Sequence, residues 1–309
     1  MEKLISTAGM EREEWLRQRK NGIGGSDAGA VCGLNPYVSP VQVYLDKISD
    51  KISDYDNEAM RQGRDLEEYV ARRFTEATGK KVRRANMIYG NSKYPFMFAN
   101  VDRFVVGENA GLECKTASAY NSDKWENDEI PPHYLIQCYH YMAVTNAKAW
   151  YIVVVILGKE FKFQKILRDE AIIQSLIQVE SDFWNNHVLT RIMPEPDGSS
   201  ASEEVLKRYF PQSDGETILL PDDFNEKLER RAELEKLIRK LDVEKKQIEQ
   251  EVKVYMNTAE NGRNNKFAVS WKNIDTMRLD ALRLKKENPA VYSQYLKEQR
   301  SRRFMVKEL

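Results

Sequence analysis

FANVDRFVVGENAGLECK, residues 98–115, decides how this chain is read. Two short apolar-rich runs flank a Gly- and Asn-containing turn, GENAG (107–111), and predict a strand–turn–strand unit. Asp102 falls on the first run; Glu113 and Lys115 fall on the second. Residues i and i+2 of a strand share a face, so Glu113 and Lys115 project together and Cys114 points away. Pairing across the turn brings Asp102 to them and places two carboxylates and an ammonium on one patch. Carboxylates held close repel each other unless positive charge intervenes. A hard divalent cation, which takes one or two carboxylates plus a substrate phosphate, would relieve that repulsion. Lys115 would then orient an attacking water or meet charge building on the phosphate. A cross-strand salt bridge on a solvated hairpin fits the same three residues.

Two flanking stretches bear on the choice. In MRQGRDLEEYVARRFTEATG (60–79), Leu66, Val70, Phe74 and Ala77 recur at helical spacing, and Glu67 lies beside that stripe. In PHYLIQCYHYMAVT (132–145), Gln137 and Tyr141 are i and i+4 and share a helix face. The apolar strand AWYIVVVI (149–156) follows.

Upstream, NGIGGSDAGAVCGLNPY (21–37) reads as a glycine turn with Ser26 capping a helix from Asp27 to about Cys32. Such a turn also presents free backbone N–H groups that suit a phosphate. A simple well-capped helix satisfies the same residues.

GIGGSDAGAVCGLNPY, GRDLEE, ANVDRF, LECKT and QCYHYM stand in that order. With them the chain, up to about residue 190, resembles the YqaJ-type viral recombinases. These are relatives of lambda exonuclease within the PD-(D/E)XK nuclease superfamily. The resemblance implies an α/β, restriction-endonuclease-like core, a mixed central sheet flanked by helices. It implies a metal-dependent DNA exonuclease that degrades one strand of linear duplex DNA 5′→3′ and exposes a 3′ overhang for recombination. Asp102, Glu113 and the backbone carbonyl of Cys114 would hold Mg²⁺ or Mn²⁺. Glu67 would complete the shell through water, and Lys115 would position the attacking water. Gln137 and Tyr141 would support the site or contact DNA. Ser26, Arg17 and Arg19 are the candidates for the terminal phosphate. Lys124 stands in a region that related enzymes use to grip DNA, where lambda exonuclease has an arginine. The resemblance further implies double-stranded DNA ends as substrate, a single-strand annealing protein as partner, a ring-shaped trimer, and a phage or prophage gene acting in a bacterial cytoplasm. An endonuclease of the same superfamily would share the metal site and differ in access to it. A non-catalytic DNA-end-binding scaffold would have no use for carboxylates clustered toward phosphate.

Composition sets outer bounds. With 309 residues, 41% hydrophobic and 31% charged, the chain can build one large domain, or one domain with an appendage. The formal net charge of zero lends no support to nucleic-acid binding, although an acidic site and a basic groove can cancel in the sum. No run of 18 apolar residues predicts a membrane span, and MEKLISTAGMEREEW lacks the apolar stretch of a secretory signal. Cys32, Cys114 and Cys138 are scattered, which fits a reducing compartment and argues against a disulfide frame or a four-cysteine iron–sulfur cluster. His133, His140 and His187 lack metal-ligand spacing and are read as ordinary residues.

Further elements are expected along the chain: a short helix in 10–20, a helix after Pro40, and a strand over about 81–88. A loop is expected over 116–134, a strand over 160–166 and a helix over 168–187. The KISD copies at 47–50 and 51–54 read as a loop or a frayed helix end. Basic residues Lys80, Lys81, Arg83 and Arg84 suit either a solvated strand end or DNA-backbone contact. MPEPDGSSAS (193–202) has the composition of a linker. The expected organisation is a nuclease core over 1–195, a linker over 196–221, and an arm with a basic C-terminal module over 222–309.

Residues 222–256 hold ten acidic and nine basic residues, with no Gly or Pro. Leu234, Leu241, Ile248 and Tyr255 fall seven apart, with Ile238 and Val252 alongside, the mark of a long helix with a narrow seam. It could pack on a partner or fold back as a hairpin arm. Residues 264–309 carry eleven basic and five acidic residues, with two β-like runs, KFAVSWKN and RRFMVKEL, around a short helix. That tail would suit a small DNA-binding module.

Overall fold

The computed structural model describes residues 2–50, 56–298 and 301–307. The second KISD copy lies outside the described residues. The chain divides into two units, Met1–Tyr209 and Phe210–Leu309.

The first unit begins with β1 (Glu2–Ser6), α1 (Arg12–Arg19), β2 (Ile23–Gly24), α2 (Gly25–Val31), α3 (Pro40–Ile48) and α4 (Glu58–Thr78). It continues with β3 (Val82–Arg84), β4 (Met87–Gly90), β5 (Met97–Asn100), β6 (Arg103–Val105) and β7 (Ala110–Ala117). Next come α5 (Pro132–Thr145), β8 (Ala149–Ile156), β9 (Glu160–Leu167), α6 (Glu170–Phe183) and α7 (Ser200–Tyr209). Two mixed sheets result. One has the order β1-β4-β5-β2; the other has the order β3-β6-β7-β8-β9. Strand β8 is buried at all eight positions, because helices cover both faces of the larger sheet and no face is left for polar alternation.

Helix α4 covers one face. Asn57 caps its start by accepting the Met60 N–H, and Gly79, at φ +70°, ends it in the left-handed conformation that glycine tolerates. Its stripe Val70, Ala71 and Phe74 packs on Leu112, Tyr151 and Val153. Helices α5 and α6 cover the other face, with Met142, Ile173 and Leu176 against Trp150 and Ile152. Helix α7 falls inside the stretch expected as a linker; its Val205 is buried with Val41 and Tyr44 of α3.

Helix α2 lies against α5, and glycine makes that approach possible. A Cβ on Gly25 would fall 2.5 Å from the Tyr141 ring, and one on Gly29 would fall 2.8 Å from His133 Cβ. The two glycines are i and i+4 and so share the contacting face. Gly25→Ala is expected to cost about 1–3 kcal/mol through overpacking. Urea unfolding measures it, and an unchanged midpoint would show that Tyr141 yields freely.

Several expectations from sequence are corrected. The strand expected over 81–88 is two strands in two sheets, broken at Asn86, whose φ is +46°. Strand β1 was not expected. Strand β7 runs through Ala117, and 3₁₀ turns occupy Ala119–Asp128, so 116–134 is not one open loop. Helix α6 ends at Phe183, followed by a single π-turn, Trp184–Val188.

The second unit contains α8 (Asp223–Met256), the antiparallel hairpin β10 (Asn261–Arg263) and β11 (Ala268–Ser270), and two short helices, α9 (Ala281–Glu287) and α10 (Pro289–Gln294). Of the run RRFMVKEL, the described part, 302–307, forms no strand. No helix among the described residues is long and apolar enough to cross a membrane.

Candidate functional site

The site forms where a ladder stops. Strands β6 and β7 pair only at Arg103↔Leu112 and Phe104↔Gly111. Beyond Leu112, β7 has β8 on one edge and, among the described residues, no strand on the other. The sequence placed Asp102 on a strand; it lies instead at the bend where the chain passes from β5 of one sheet to β6 of the other. Its Oδ2 accepts the Cys114 N–H at 2.9 Å, a bond that a longer β6 would have made with its backbone. The N–H and C=O of a strand residue point to the same edge. The Cys114 carbonyl therefore faces the side on which Asp102 lies.

Glu113 and Lys115 project from β7 toward α5. Lys115 Nζ lies 2.7 Å from Glu113 Oε1 and 3.0 Å from Gln137 Oε1, and 4.4 Å from the Tyr134 ring centre. Gln137 Nε2 donates to Glu113 Oε1 at 2.7 Å and to the Tyr141 hydroxyl at 2.9 Å. One amide thus holds both the carboxylate and the ammonium. Gln137 and Tyr141 are both buried.

The electrostatics follow from this crowding. Burial raises the Asp102 carboxyl well above its ordinary value, Glu113 and Glu67 raise it further, and the Cys114 N–H and Lys115 pull it back only in part. Burial alone would lower the Lys115 ammonium; Glu113, with Tyr134 and Asp102, outweighs it and leaves the group firmly charged. Cys114 and Cys138 are pushed up, first by burial and then by neighbouring charges, so neither is a thiolate nucleophile.

Glu67 reaches the site from α4, on the opposite face of the sheet. Its Oε1 accepts Arg103 Nη1 at 2.6 Å, while Arg103 Nη2 bonds Glu68 at 2.9 Å and Arg84 bonds Glu68 at 2.7 Å. Arg103 is 2% exposed. The sequence reading missed it, although a lone arginine inside an apolar run must find a carboxylate partner when buried, and Glu67 and Glu68 of GRDLEE are the two it meets. A cleft of about 230 Å³ opens beside Asp102 and Glu67, walled by Trp15, Asn86 and Asn100.

The donor set fits a hard cation. Glu113 Oε2 is buried and has no hydrogen-bond partner among the described residues. Asp102 and Glu113 repel each other, and the Cys114 carbonyl shares their side. No group of three or more His, Cys, Asp or Glu among the described residues could by itself hold a metal ion. Two carboxylates with a carbonyl and a substrate phosphate is a set that Mg²⁺ accepts.

The remaining candidates are dispersed. Ser26 is not the cap of α2: the helix starts at Gly25 with Gly24 as its cap residue, and the Asp27 carboxylate accepts the Gly24 N–H at 3.0 Å. Burial raises the Asp27 carboxyl, but Lys47 and Arg19 overcome that and lower it. Arg19 Nη2 donates to Ser26 Oγ at 2.5 Å and to Asp27 at 3.1 Å, so Arg19 and Ser26 do meet. Arg17 instead pairs with Glu13 and Glu14 of its own helix. Lys124 donates to the Tyr37 hydroxyl at 3.1 Å, and the Tyr37 ring stands edge-on to His133. His133 is pushed down to about 4 by burial, then by Lys115 and Lys124, and is neutral at pH 7. The buried pair His140–Glu180 was also missed; it ties α5 to α6, and His140 Nε2 reaches the Phe98 carbonyl of β5 at 2.9 Å.

Comparison with known proteins finds a family model, a close relative in sequence and a related fold. A family model described as the YqaJ-like viral recombinase domain matches residues 14–148. The uncharacterized protein YqaJ of Bacillus subtilis is 39% identical over 312 residues, which takes in all of this chain and 98% of that protein. The alkaline exonuclease LHK-Exo of Laribacter hongkongensis, crystallised in complex with dAMP, superposes with a TM-score of 0.51 at 20% identity, over 64% of this chain and 98% of that one. At that identity the likeness bears on the fold alone, a mixed α/β core.

Proposed function

Because the chain belongs to the YqaJ-like viral recombinase family, we propose that it is a metal-dependent deoxyribonuclease that degrades linear duplex DNA from its ends. The direction of degradation is 5′→3′, and the exposed 3′ strand passes to a single-strand annealing protein in phage-type recombination. A ring trimer around the duplex, in a bacterial host's cytoplasm, completes the proposal. The observation that carries it is the Asp102–Glu113–Lys115 group at the unpaired edge of β7, with a buried Glu113 oxygen still lacking a partner.

Each residue has a proposed task. Asp102, Glu113 and the Cys114 carbonyl would hold Mg²⁺ or Mn²⁺, with Glu67 contributing through water. When bound, the cation supplies Lewis-acid polarisation of the scissile phosphate. Lys115, fixed by Glu113 and Gln137, orients the attacking water by hydrogen bonding and meets negative charge as it develops on the phosphoryl oxygens. Gln137 sets the distance between Glu113 and Lys115, and Tyr141 holds Gln137. Arg103 keeps Glu67 turned to the sheet edge. Ser26 with Arg19, and Lys124, are the proposed phosphate contacts.

The test is incubation with linear and with covalently closed circular duplex DNA, each with Mg²⁺, Mn²⁺ or chelator, with Lys115→Ala alongside. Loss of linear DNA alone, dependent on metal and absent in the variant, is the expected result. A label on the 5′ ends should be released before one on the 3′ ends. Cutting of closed circles would replace the exonuclease with an endonuclease. Intact DNA under every metal would overturn the catalytic reading.

A further inference from the structure

Helix α8 presents a seam whose flanks say what can cover it. Leu234, Ile238, Leu241, Lys245, Ile248, Val252 and Tyr255 alternate at spacings of four and three and line one stripe. The apolar members are all at least 37% exposed, and Met256 is the one buried residue named on this helix. On one side the stripe is bordered by Glu235, Asp242 and Glu249, on the other by Glu244 and Glu251. The basic residues Lys236, Arg239, Lys240, Lys246 and Lys253 lie away from it.

We propose that this seam docks an amphipathic helix of another protein whose own flanking positions are Lys or Arg. A second copy of α8 is a poor occupant. In parallel pairing Glu244 of one helix would face Glu249 of the other, and Lys245 would face itself. In antiparallel pairing each acidic flank would face its own kind. Like charges across such a seam cost stability and select against the self-pair. The pairs that the flanking acids make inside the helix, Glu235 with Arg231 at 2.6 Å, Asp242 with Lys245 at 3.5 Å and Glu249 with Lys253 at 3.8 Å, are exposed and of little worth, so they do not cancel the flanking charge. Among the described residues, α9 is basic, with Arg283, Lys285 and Lys286, but it has seven residues. That is about 10 Å of helix against a seam of about 32 Å, too short to cover it. Acidic borders also turn away nucleic acid. A basic-flanked protein helix of matching length remains. This surface is independent of the proposed nuclease site.

The probe is a synthetic helix of about four heptads. It has Leu and Ile in the seam, one Glu placed to face Lys245, and Lys at every flanking position. A matched peptide carries Glu at the flanks. With the full-length protein, fluorescence anisotropy should show the basic peptide binding at least about tenfold more tightly than the acidic one, and more weakly as salt is raised. Leu241→Asp should abolish the binding. Reversing the borders with Glu244→Lys, Glu249→Lys and Glu251→Lys, all on the surface, should exchange the preference between the peptides. Equal binding, no binding, or an unchanged preference after reversal would overturn the proposal. So would sedimentation that shows self-association lost on Leu241→Asp, because the seam would then belong to a second copy.

Discussion

Asp102→Asn is expected to abolish metal-dependent loss of linear DNA and, at the same time, to make the metal-free protein harder to melt. The activity loss should be at least about 10²-fold, the scale reached when one group of a preorganised charge-stabilising site is removed. The gain in stability has the same origin. The Asp102 carboxylate is held against its ionisation by burial first, then by Glu113 and Glu67. An amide removes that repulsion and its oxygen can still accept the Cys114 N–H. Relief of about 1 kcal/mol would raise the melting temperature by about 2–4 °C in a unit of this size. Added Mn²⁺ should raise the melting temperature of the wild type and leave the variant where it was. Differential scanning fluorimetry with and without Mn²⁺ measures both effects. Should the variant melt as the wild type does under both conditions, Asp102 would be no more than an acceptor for one N–H.

His140→Leu should produce the largest loss of stability outside the site. His140 and Glu180 are fully buried, with Nδ1 and Oε1 2.7 Å apart. The Phe98 carbonyl can only accept, so Nε2 carries a proton, and another is held between Nδ1 and the carboxylate. Removing the imidazole strands a buried carboxylate, one oxygen of which already lacks a partner. Breaking a buried pair from one side costs about 3–5 kcal/mol. The double change His140→Leu, Glu180→Leu should recover all but about 1–3 kcal/mol, the remainder being the Phe98 carbonyl left unpaired. The pH dependence has a definite sign. Burial would lower His140, but Glu180 and the Phe98 carbonyl overcome it and raise the group above its ordinary 6.5. The folded state therefore holds this proton more tightly than the unfolded chain does. The contribution is complete below pH 6.5 and is lost as pH climbs through the raised value. Urea titrations should show the wild type losing stability on the alkaline side, with the slope flattened in the double variant. A His140→Leu protein as stable as the wild type would mean that the pair contributes nothing.

What was legible in the sequence is local in origin. The i, i+2 rule placed Glu113 and Lys115 on one face without knowledge of the fold, and the i, i+4 rule did the same for Gln137 and Tyr141. The unbroken apolar run 149–156 announced a strand. The long helix 222–256 and its seam followed from spacing alone. Side-chain direction in a strand or helix is set by backbone geometry within a few residues, so it can be read from a few residues.

The edge of β7 that lies open is a different matter, because it depends on where β6 stops and on β5 joining another sheet. Asp102 lies in that gap and not on a strand. Arg103 holds Glu67 across 36 residues of chain, and His140 meets Glu180 across 40. Gly25, part of the glycine turn, and Gly29, inside the helix, have Tyr141 and His133 in the space a side chain would need. By itself the sequence determined which side chains share a face. Only the tertiary structure decided which edge was left unpaired, which buried charges found partners and which glycines lie under another helix. Those outcomes depend on contacts between segments far apart in the chain, and local periodicity carries no record of them.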